Sequence, residues 1–181
     1  FNHLAGLLQQ EGMDVLVIPD TPEPYTPDSI FPNNWISFHA DGSVCLYPMF
    51  APNRRMERKP GLLDILSQRF FINRVIDLSI RENENRFLEG TGSMALDRVN
   101  HIAYAGLSSR TDKQVLLEFC DKMQYRPVIF DTLAQQGKPV YHTNVMMCVA
   151  ETYAVVCLDV IPRKQQRQEL EQALASSGKA L

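Results

Sequence analysis

The chain has no apolar run approaching the roughly 20 residues that a membrane-spanning helix needs. Residues 1–18 lack the basic, apolar, small-residue order of a signal peptide. No C-x-x-C pair occurs among Cys45, Cys120, Cys148 and Cys157, and three of the four sit in apolar runs. That argues against a zinc or disulfide framework and predicts four structural, buried thiols in a reducing compartment, the cytoplasm. Long basic blocks are missing too. The densest, Arg54-Arg55-Met56-Glu57-Arg58-Lys59, is short and interrupted by an acid, and the net charge is −3. Neither a nucleic-acid partner nor a membrane surface is expected. There is no initiator methionine, so the chain is expected to be part of a longer or processed protein. With 45% apolar and 22% charged residues, its 181 residues suffice for one globular domain with a sizeable core.

What is present is a repeat. Leu4, Leu7 and Leu8 have helical spacing within Asn2–Glu11, stopped by Gly12, and Val15–Ile18 reads as a short buried strand. Trp35–His39 and Ser43–Tyr47 flank an Asp41-Gly42 turn, a strong hairpin signal. A helix over Met56–Phe70, with Leu62, Leu63, Ile65 and Leu66 inward, and a strand over Val75–Leu78 follow. The order then returns: a hairpin from Ser93–Asp97 and His101–Tyr104, a helix over Asp112–Met123, a strand over Arg126–Phe130. A third round has a hairpin from Asn144–Val149 and Tyr153–Leu158 and a helix over Pro162–Ala175, without a last strand. A ββαβ unit recurring every 50 to 60 residues predicts units stacked around an axis, each covering the apolar edge of the next. An ordinary α+β sandwich is the competing reading of the same pattern.

Each hairpin is preceded by a polar segment: Asp28-Ser-Ile-Phe-Pro-Asn-Asn34, Phe87-Leu-Glu-Gly-Thr-Gly92 and Tyr141-His-Thr-Asn144. Equivalent points of neighbouring repeats would face the axis together. Asn33 and Asn34 are ordinary turn residues or a pair of amides aimed at a ligand. Glu89 is an exposed loop acid or, beside two glycines, a carboxylate that a ligand can approach closely. His142 alone of four histidines falls at such a junction, and a Glu89–His142 pair would orient the imidazole proton for general acid–base work. Arg54, Arg55 and Arg110 are solvated surface cations or forks for an anionic substrate end.

The segments Pro22–Trp35, Leu46–Arg55, Phe87–Gly92, Gly106–Thr111 and Tyr141–Val145 resemble the guanidino-group-modifying superfamily of arginine deiminases, dimethylarginine hydrolases and amidinotransferases. Its closest branch is that of the arginine deiminase-related, citrulline-utilisation hydrolases. The resemblance covers essentially the whole chain. It implies an α/β fold, a five-bladed α/β propeller of ββαβ units with the site at its axis. About three blades would lie in residues 1–181, as one partial domain lacking the N- and C-terminal blades. It also implies that Glu89 pairs with the catalytic His142, that Asp28 holds a substrate ammonium, and that Arg110 and one of Arg54 and Arg55 bind its carboxylate. Asn33, Asn34 and Asn144 stand where guanidine-processing relatives have acids, and Gly92 where a Glu-Gly-Gly-Asp motif ends in one.

Those departures have a physical direction. A buried guanidinium wants a carboxylate, and a cation among neutral amides stays uncompensated in a desolvated pocket. A neutral ureido group, with a carbonyl acceptor and N–H donors, suits amides. The expectation is therefore a cysteine-dependent hydrolase of the ureido C–N bond of citrulline or a related amino acid. The family's nucleophilic cysteine would lie well beyond Leu181. No metal or organic cofactor is implied, because thiolate, imidazole and carboxylate suffice. A guanidine hydrolase, an amidinotransferase and a non-catalytic amino-acid-binding fragment are the alternatives. The partner expected is a small amino-acid substrate, with homo-oligomer formation through apolar edges left open.

Overall fold

The computed structural model describes residues 2–134 and 137–181. After helix α1 (Asn2–Gln10), strands β1 (Ile36–Phe38), β2 (Ser43–Leu46) and β3 (Arg74–Asp77) form a three-stranded sheet. β1 pairs antiparallel with β2, and β2 pairs parallel with β3, placing Val44 opposite Val75. The same arrangement recurs in β4 (Ala95–Asp97), β5 (Ile102–Leu107) and β6 (Arg126–Asp131). A third hairpin, β7 (Met147–Val149) with β8 (Ala154–Val156), follows. Helices α2 (Pro52–Arg55) and α3 (Leu62–Ser67) serve the first unit, α5 (Lys113–Met123) the second and α6 (Lys164–Ser176) the third; α4 (Gly90–Ser93) is a single turn between units.

Local chemistry explains most of these boundaries. Asp112 caps α5, its carboxylate accepting from the amides of Gln114 and Val115, which satisfies otherwise orphan donors. The loop of the first hairpin closes when Asp41 accepts from the Ser43 amide at 2.9 Å. The helix expected over Met56–Phe70 is instead confined to Leu62–Ser67, starting only after Pro60 and a left-handed Gly61. Its Ile65 faces solvent rather than the core. Val15–Ile18 is not a strand: among the described residues nothing pairs with it, and Val17 and Ile18 are exposed.

The third unit carries more than the sequence suggested. Ala180 bridges Tyr153 in parallel, and its amide donates to the Thr152 carbonyl. That repeats the way Arg126 enters β6, where its amide donates to His101. Gln124 before β6 and Gly178 before Ala180 are both left-handed. Ala180 thus forms an isolated parallel bridge at the place where the third strand stands in the other two units.

Period-two alternation builds the core between units. In β5, Ala103 and Ala105 join Tyr47, Leu78 and Phe119 in one cluster, whereas Ile102 and Tyr104 join Phe130, Leu170 and Leu174 in another. A strand covered on both faces reads as a continuous apolar run, as Ile-Ala-Tyr-Ala does. Cys45 and Cys120 lie in the first cluster. Cys148 and Cys157, expected inside, are exposed. Cys148 sits opposite Val155 on the face of the two-stranded sheet that is open to solvent.

Candidate active site

The three polar segments meet. Gly90, with φ of 45°, lies so close to the first segment that a Cβ on it would stand 2.4 Å from the Asn33 carbonyl oxygen. A Cβ on Gly92 would stand 2.4 Å from Asn34 Nδ2 and 2.9 Å from both Nδ1 and Cε1 of His142. Only glycine fits at either position. The two glycines of the Glu-Gly-x-Gly stretch are thus the seats for the other two segments. Ser93 belongs to α4 rather than to the strand expected there, and its hydroxyl joins the Glu89 amide to the Arg110 carbonyl. Thr143 locks the third segment down, its Oγ1 donating to the Ser93 carbonyl and accepting from the Gly106 amide.

Glu89 is fully buried. Its Oε2 lies 2.6 Å from His142 Nε2 and 3.2 Å from Arg110 Nη1, and its Oε1 accepts from the Phe50 amide at 2.9 Å. Burial works to raise its pKa, but the bonds from His142 and Phe50 and the charge of Arg110 outweigh it and hold it below the ordinary value. An ionised carboxylate facing Nε2 makes that nitrogen the proton carrier. Nδ1, on the Gly92 side of the ring, is then the acceptor in the neutral imidazole.

The arginines divide their labour. Arg110 is stacked between the rings of Phe50 and Tyr141 and remains partly open to solvent. Arg55 lies over Phe87 and donates to the carbonyls of Met49 and Phe50. Arg54 is buried, and each of its three guanidinium nitrogens already has a protein partner. It grips Glu57 through Nε and Nη2, Asn34 Oδ1 through Nη1 at 2.7 Å, and the carbonyls of Asp28 and Phe31 through Nη2.

Asn34 is buried and shares the space over Gly92 with the His142 ring, whereas Asn33 is exposed and donates to Thr91. Asp28 is half-buried in the first segment, and Asn144 is exposed on the turn that follows His142. The sequence reading missed the Phe50 amide, Ser93, Thr143 and Glu57. Phe50 acts through its backbone and leaves no signature, but an acid three residues after Arg54 was a visible pairing signal. Among the described residues, no group of three or more His, Cys, Asp or Glu side chains forms a metal site.

Over residues 1–181 the sequence matches the family of N,N dimethylarginine dimethylhydrolase, eukaryotic. The chain belongs to that family, and with it to the guanidino-group-modifying superfamily. Comparison with curated proteins finds no match. Solved structures share its fold. The N-terminal domain of ArgZ, an arginine dihydrolase from the ornithine–ammonia cycle in cyanobacteria, bound to product, superposes with a TM-score of 0.73 at 17% identity, over 98% of this chain and 60% of that one. AgrE in complex with L-arginine gives 0.73 at 18% identity, over 99% of this chain and 25% of that one. A dimethylarginine dimethylaminohydrolase adduct gives 0.63 at 17%, over 92% and 62%. The chain thus spans about three-fifths of the ArgZ domain and of the dimethylarginine dimethylaminohydrolase.

Proposed function

We propose that the full-length protein hydrolyses the C–N bond of the ureido group of citrulline or a close analogue. The observation that carries the reading is the meeting of the His142 ring, held by buried Glu89, with the neutral amide of Asn34 over Gly92. Among the described residues, a guanidinium there would face an amide and an imidazole, and the carboxylate of Glu89 is already engaged by His142, Phe50 and Arg110. A neutral ureido group avoids that uncompensated charge.

In the proposed reaction a cysteine thiolate attacks the ureido carbon, and His142 delivers a proton to the departing ammonia. Neutral His142 then takes a proton from water, whose hydroxide displaces the thiolate. The carbamate released loses carbon dioxide to give ornithine, so citrulline and one water yield ornithine, ammonia and carbon dioxide. Cys45 and Cys120 are poor candidates for the thiolate, since burial pushes their thiols up to about 11 and about 12. On the resemblance to the superfamily, we propose that the nucleophile lies outside these 181 residues. Arg110 and Arg55 are the proposed carboxylate clamp, with Asp28 at the ammonium and Asn33 and Asn144 at the pocket's edge. The proposed frame is the five-bladed propeller, of which the repeating units would be about three blades, in a cytoplasmic enzyme.

A guanidino substrate is the second reading. It is favoured by the family to which the chain belongs and by relatives described as an arginine dihydrolase and as a complex with L-arginine. Incubating the full-length protein with citrulline tests the first reading. Ornithine, ammonia and carbon dioxide in equal amounts, lost in His142→Ala, support it; intact citrulline refutes it.

A further inference from the structure

Arg54 sits beside Arg55 on α2, yet it is turned inward and buried with Glu57. Burying a guanidinium is costly, and one carboxylate partner would already satisfy its charge. What remains unexplained is the use of Nη1, which donates to Asn34 Oδ1 at 2.7 Å. A carboxamide has one acceptor end and one donor end. With Oδ1 held by a cation that has only donors to offer, the amide cannot turn over without setting N–H against N–H. The donor end, Nδ2, is thereby aimed at the space over Gly92 beside His142.

We infer that Arg54 is a positioning residue. It binds no substrate itself but fixes Asn34 as a hydrogen-bond donor toward the reaction space. The site then recognises a carbonyl oxygen and disfavours a group that presents only N–H. This inference rests on the proposed function, and it names the residue that sets the substrate class at that site. Glu57 belongs to the same device, because its bonds to Nε and Nη2 fix the plane of the guanidinium and hence the direction of Nη1.

The test compares citrulline with arginine in the full-length protein, reading kcat/KM and, in parallel, equilibrium binding for each. Arg54→Met with Glu57→Leu removes the buried pair together, so that neither charge is stranded. Thermal unfolding verifies that the variant is folded. The expected result is a fall of about tenfold or more in the citrulline-to-arginine ratio, the scale of one hydrogen bond reversed. Arg54→Lys, which keeps a donor near Oδ1, is expected to restore much of the ratio. A purely structural Arg54 would depress both substrates together and leave the ratio unchanged, which would overturn the inference. Wild-type preference for arginine, with the ratio still moving in the double variant, would defeat the ureido reading alone. A wild-type protein that neither binds nor converts either compound would overturn both.

Discussion

Gly92 has no side chain because Asn34 occupies its place: a Cβ there would lie 2.4 Å from Asn34 Nδ2. Neither neighbour can move without breaking a bond, since Asn34 is held by Arg54 and His142 by Glu89. Gly92→Ala is expected to cost about 1–3 kcal/mol in chemical denaturation, as overpacking does, and to lower kcat by displacing the amide or the ring.

Glu89 couples the chemistry to acid stability. Its folded pKa is depressed, so its contribution is present above the ordinary value of 4.5 and is lost as pH falls from there through the folded value. Glu89→Gln is expected to flatten the dependence of unfolding free energy on pH below 4.5. At neutral pH it should also reduce kcat by roughly 10²- to 10⁴-fold, the range for a lost acid–base assembly.

His39 gives a second pH window. Burial and the nearby Arg98 lower its pKa from 6.5 to about 4; Arg74 and His101 act the same way, and Asp41 opposes them. Its Nε2 bonds Ser37 Oγ, which also bonds Tyr47. The neutral ring is the folded form, so stability should be full above 6.5 and decline as pH falls toward 4. Melting temperatures of the wild type should fall across that interval more steeply than those of His39→Gln.

Lys179 and Asp97 form an ion pair with both side chains buried, and Lys179 also donates to the Glu151 carbonyl. It ties the segment after α6 to β4. Lys179→Met alone should destabilise by about 3–5 kcal/mol in urea, whereas adding Asp97→Leu should recover much of that loss.

How much of this was legible follows from the kind of signal each feature leaves. The ββαβ order was legible because hairpin turns, helix caps and β5's unbroken apolar run are local. The meeting of Glu89 and His142 was legible as a position within a repeat, since equivalent points of stacked units face one another. Arg54 and Arg55 could not be separated in the sequence. Neighbours on a helix point about 100° apart, and only the packed structure says which one turns inward. Cys148 and Cys157 look like core residues by composition, and their exposure depends on which sheet face is covered. The Phe50 amide was invisible because a backbone group has no letter of its own.

The most direct test of the central claim is the ratio of kcat/KM for citrulline to that for arginine in the full-length protein. The account predicts a ratio well above one, with citrulline turnover abolished in His142→Ala. A ratio below one, with arginine the better substrate, would contradict it.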